Sequence, residues 1–197
     1  MNFDEIISLL KSNDKDTYSV IYKSFPEIIR MNFDGDEEGE NYERLINFFK
    51  NLVILKKLNL LKIGLETAYA IEKYLNILYD LAPTFFKNEM LREYYEIVKK
   101  YNRDKYFITE GLIELVTNMF LDTKPDKIYY LITETAVFAI ETKNYELMKF
   151  LIDTWINRNK LSFVKFISKG MSDDDIKKTS STINQLKDIL NERFDKS

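Results

Sequence analysis

The side chains able to do chemistry in this sequence are carboxylates, lysines and tyrosines, because its 197 residues include no histidine and no cysteine. That inventory removes a Cys or His nucleophile, a His general base, zinc on N/S ligands, His-ligated haem and thiol redox chemistry. Carboxylate pairs remain. Glu110 and Glu114 stand one helical turn apart, the spacing that a paired acid and base would use. On the helical wheel, however, they lie opposite Ile108, Leu112, Leu115 and Met119. A solvated face offers nothing to shift a carboxylate pKa, so the pair is read as surface.

Two further acidic patterns fall short of a metal site. The acidic loop 32–43 lies between two helical patterns, as a calcium loop would. Counted from Asp34, the Asp, Asp, Glu and Gly positions fit, but position 12 is Leu45; counted from Asn32, Glu43 takes position 12 while Glu37 replaces the turn glycine. No single register joins the glycine turn to the bidentate glutamate. Weak divalent-cation contact at Asp34, Asp36 and Glu43 remains the alternative to a solvated loop. Glu93 and Glu96 resemble half of the paired acidic motif of the all-α nucleotide pyrophosphatases. The second half has no counterpart nearer than Glu192 and Asp195, far along the chain. No metal and no cofactor is expected.

The cations suggest a different chemistry. Lys99, Lys100, Arg103 and Lys105 are interleaved with Tyr94, Tyr95, Tyr101, Tyr106 and Phe107, the pattern of a single-strand nucleic-acid platform. Against it, Tyr94, Val98 and Tyr101 share one apolar stripe, and Glu96 and Asp104 sit among the cations as ion-pair partners. A helix-turn-helix reading of 50–90 places Gly64 in the turn. The element near Asp80–Lys87 would then enter the groove, where it offers little to read phosphates.

The elements that position these groups are helices. Glycine and proline are scarce (five and three residues), so little interrupts a helical ladder. Leu91, Tyr94, Tyr95, Val98 and Tyr101 follow the i, i+3, i+4, i+7 rule, as do Ile128, Leu131, Ile132, Thr135 and Ala139. The pattern predicts helices over 3–11, 15–24, 26–31, 42–58, 61–81, 89–101, 105–121, 126–142, 144–157, 161–168 and 173–194. Pro26, Pro83 and Pro125 are taken as helix starts. The predicted fold is all-α: antiparallel helical hairpins in a multi-helix bundle or short α-solenoid, over 1–168, with a separate amphipathic helix in 169–197. Residues 66–72 echo 134–141 at an offset of 68, twice the 34-residue unit of tetratricopeptide-type hairpins, although no middle copy carries that pattern.

In the C-terminal helix Ile176, Ile183 and Leu190 recur every seven residues, with Thr179 and Leu186 between them. So short a seam must be buried, either on the preceding domain or against a second copy or partner helix. Trp155, among Leu147, Phe150, Leu151 and Ile152, is expected to be structural.

The net charge of −3 gives no global attraction to nucleic acid or to an acidic membrane. The most apolar run, Leu52–Leu55, is cut by Lys56 and Lys57, too short to span a bilayer. No signal-peptide pattern opens the chain. The expectation is a cytoplasmic, non-enzymatic interaction or adaptor module that binds a protein partner or self-associates through helical surfaces. Nucleic-acid association is the alternative.

Overall fold

In the computed structural model the residues described are 1–12, 14–33, 39–71, 76–101, 110–157 and 170–194. Among them every regular element is helical, and none is a strand. The chain divides into two compact units, Met1–Met90 and Leu91–Ser197.

The first unit holds α1 (Phe3–Lys11), α2 (Lys15–Asn32), α3 (Glu40–Ile54), α4 (Leu58–Ile71) and α5 (Ile77–Lys87). Asn2 and Glu5 form a reciprocal capping box on α1, and Asp14 caps α2 by accepting from the Thr17 N–H. Helix α3 packs against α1, α4 and α5, while α2 packs against α1 and α4. Between them lies an aromatic cluster. Phe3 stacks on Phe48 at 4.3 Å between ring centroids, and Phe25 and Phe49 approach Phe48 at 5.8 and 6.1 Å.

Three expectations are corrected here. Pro26 does not start a helix but lies inside α2, and Pro83 lies inside α5. An interior proline loses a hydrogen bond and crowds the preceding turn, at about 3 kcal/mol. Ile21, Phe25, Ile28 and Ile29 are buried along α2, and burial of such side chains gains about 1.5–3 kcal/mol each, so the helix continues through the defect. The run 61–81 is not one helix, since Asn76 is non-helical and a new helix, α5, begins at Ile77. A straight rod could cross α3 only once, whereas the two shorter helices both pack on it. Gly64 is no turn residue, because it is buried inside α4. The helix-turn-helix reading loses its turn.

The second unit holds α6 (Leu91–Tyr101), α7 (Leu112–Asp122), α8 (Ile128–Glu141), α9 (Tyr145–Ile156) and α10 (Asp173–Phe194), with a 3-10 turn at Pro125–Lys127 before α8. Pro125 thus opens an element, as expected. Helix α8 packs against α6, α7, α9 and α10. It buries Ile128, Leu131, Ile132, Thr135, Ala136, Phe138 and Ala139. Ser172 caps α10 by accepting from the Asp175 N–H, which sets three aspartates on its first turn. The expected 161–168 helix and the 168/169 domain boundary lie outside the described residues.

Helices α3, α5 and α8 end in the same way. Lys56, Glu89 and Lys143 adopt left-handed φ values of 55°, 58° and 53°. In each case the next N–H reaches back to the helix: Lys57 to the Leu52 carbonyl, Met90 to Phe85 and Asn144 to Ala139, at 2.8–2.9 Å. These are Schellman caps built without glycine, and the next helix begins immediately after each. The echo between 66–72 and 134–141 has a shared local role: Thr67 and Thr135 are buried and donate to the carbonyls of Ile63 and Leu131.

Candidate functional site

A cleft of about 390 Å³ opens in the first unit. Two chain reversals build it. One is the end of α1 with the start of α2, which brings Leu9, Leu10, Asp14, Lys15 and Tyr18. The other is the cap between α3 and α4, which brings Lys56, Lys57, Leu58 and Asn59. Leu10 is buried, Tyr18 and Leu58 are half-buried, and Leu9 is exposed, giving an apolar floor that opens to solvent.

The rim is cationic. Lys57 Nζ stands 5.3 Å from the centroid of the Tyr18 ring, a cation–π contact that orders both side chains. Tyr22, one turn on, has its ring 6.1 Å from that of Tyr18. Burial, and then the neighbouring Tyr22, push the Tyr18 phenol up from its ordinary pKa, so it stays neutral. No described carboxylate lies within ion-pair distance of Lys15 or Lys56. Asp14, the lining carboxylate, is held below its ordinary pKa by hydrogen bonds from the side chain and backbone of Thr17. It is therefore committed to capping α2. Sequence reasoning passed over this site because its residues come from two separated segments. The visible signal was Lys56-Lys57, a cation pair ending the most apolar run of the chain.

The basic segment singled out from sequence has another role. Lys99 is held by two carboxylates, Glu96 at 2.5 Å on its own helix and Glu141 of α8 at 2.6 Å. Those two hydrogen-bonded carboxylates push its pKa up from the ordinary lysine value. Lys100 lies 4.8 Å over the Tyr101 ring. Tyr94, Tyr95 and Tyr101 are buried, as the apolar stripe implied, so they offer no stacking platform. Tyr95 donates to Thr135 at 2.7 Å, since the Thr135 hydroxyl itself donates to the Leu131 carbonyl. Arg103 and Lys105 lie outside the described residues.

The carboxylate candidates are dispersed. Glu110 and Glu114 are exposed, and so are Glu93 and Glu96. Glu43 is exposed on the first turn of α3, while Asp34 and Asp36 lie outside the described residues. Among the described residues no three metal-ligating side chains cluster. No helix among them is long and apolar enough to cross a membrane.

The C-terminal seam is occupied by the chain itself. Thr179, Ile183 and Leu186 are buried where α10 packs on α8 and α9. Ile176 and Leu190 at its two ends are half-buried. Trp155 is 6% exposed and donates from Nε1 to Ser180 at 3.3 Å, and Arg193 stacks 3.7 Å over the Tyr145 ring. The central seam residues are covered by the chain's own helices.

Comparison with known proteins gives no match to a family model, a curated relative or a solved structure.

Proposed function

We propose that the chain is a non-enzymatic interaction module, built from helical hairpins, that binds a protein partner through the cleft of its first unit. One observation carries the reading: a half-apolar concavity is rimmed by cations, while the carboxylates singled out from sequence as acid–base candidates stand in solvent. A catalytic carboxylate works in a sheltered pocket, and Glu93, Glu96, Glu110 and Glu114 are exposed. An apolar floor with a polar rim is instead the anatomy of a recognition surface, where a few buried contacts give affinity and surrounding charges give specificity. The pairing of Lys99 with Glu96 and Glu141 supports the protein partner over nucleic acid.

Affinity capture of the tagged chain from its native cell, with nuclease-treated and untreated arms, tests this. Protein partners that persist after nuclease treatment are expected. Partners lost on nuclease treatment would transfer the function to nucleic-acid association, and an empty capture would overturn the module reading.

A further inference from the structure

We infer that this cleft accepts an extended acidic segment of the partner, one aliphatic side chain on the Leu10–Tyr18–Leu58 floor and its carboxylates against Lys15, Lys56 and Lys57. The inference rests on the interaction-module reading and names its ligand.

Charge supplies the first argument. Three lysines and one capping aspartate line the cleft of a chain whose net charge is −3, so the site opposes the sign of the molecule. Lys15 and Lys56 have no described carboxylate within ion-pair distance. An anionic group entering here meets, in Lys15 and Lys56, cations that need not abandon a described carboxylate. Size and shape supply the second argument. A volume of about 390 Å³ suits one or two side chains, whereas a docked helix is roughly 10–12 Å across and needs a long trough. The floor is apolar, so a bare inorganic anion would leave Leu10, Leu58 and the Tyr18 ring uncovered.

Left-handed Lys56 provides an unusual control. Replacing it with glycine deletes a rim cation and at the same time relieves the backbone at φ 55°, so binding falls while the protein melts no lower. The same change at Lys143, on the matching cap of the second unit, should leave binding untouched.

The experiment is a titration of the full 15N-labelled chain, followed by NMR, with a capped hexapeptide of alternating glutamate and leucine. Its glutamine–leucine counterpart, an oligothymidylate and inorganic phosphate form the other arms. Saturable shifts at Leu10, Tyr18 and Leu58 are expected, weakened by raised salt. Affinity should be about tenfold lower in Lys15→Gln combined with Lys56→Gly, a loss in keeping with two exposed charge contacts. Equal binding of the neutral peptide, unchanged affinity in the double variant, or shifts confined to other surfaces would each overturn the assignment. Displacement of the peptide by oligothymidylate or phosphate at lower concentration would also overturn it, making the cleft a phosphate site. If the peptide fails while wild type and double variant capture the same nuclease-resistant proteins, the cleft falls as the binding surface and only the protein-partner part of the module reading stands.

Discussion

Replacing Gly64 by alanine sets two well-understood effects against each other at one buried position. A glycine inside a helix costs about 1 kcal/mol relative to alanine, so the substitution would stabilise α4 if the added methyl met open space. It does not. A Cβ built there would sit 2.6 Å from Phe49 Cε1, 2.8 Å from Phe49 Cζ and 3.2 Å from Phe25 Cε1. Both rings are fully buried, and each is in contact with Phe48, so neither can swing toward solvent. Overpacking of this kind costs about 1–3 kcal/mol, and a contact under 3 Å to a confined ring falls in the upper part of that range. After subtracting the propensity gain, the expected net loss is about 1–2 kcal/mol. Chemical denaturation followed by far-UV circular dichroism measures it. The decisive arm repeats the substitution in a Phe49→Leu background, where the clashing ring atoms are gone. There alanine should be neutral or stabilising by up to about 1 kcal/mol. If Gly64→Ala stabilises the wild-type background, or costs as much without the ring as with it, the packing argument is wrong.

Other outcomes follow from the same geometry. Lys143→Gly and Glu89→Gly should each stabilise by about 0.5–1 kcal/mol, because glycine adopts the left-handed cap without the Cβ penalty; a lower melting temperature in either would contradict this. Trp155→Ala should cost about 3–5 kcal/mol by opening a cavity where α9 meets α10, whereas Ser180→Ala, which deletes one hydrogen bond of 3.3 Å, should cost about 1 kcal/mol or less in the same melts. Burial raises the Glu134 pKa above 4.5, with Arg92 opposing and Glu93 reinforcing the shift. A raised folded-state pKa means that its contribution to stability is present below the unfolded-state value and is lost as pH rises through the folded one. Glu134→Gln should therefore flatten the loss of stability on going from acid to neutral pH, and a pH series of melts that is unchanged by the substitution would count against it.

The residues fixed most of the local structure by themselves. The stripe Leu91, Tyr94, Tyr95, Val98 and Tyr101 is buried as its spacing required, and α1 and α10 run over the expected residues. Asn2, Asp14, Asn144 and Ser172 cap the helices they precede. These effects act within about four residues of chain, so a single sequence displays them. The poverty in chemical groups was equally plain, since absent histidine and cysteine are absent in any fold. Tertiary structure decided what depends on which faces meet. Pro26 and Pro83 stay inside helices because distant helices bury the side chains around them, and Gly64 is needed because Phe49 and Phe25 arrive there from α3 and α2. Lys99 is neutralised by Glu141, 42 residues away. The cleft exists because the turn after Lys11 and the cap at Lys56 come together when α1 and α4 pack around α3. Apolar periodicity marks which face of each helix is buried. It does not say against what, and the cations of this cleft become a site through that second fact alone.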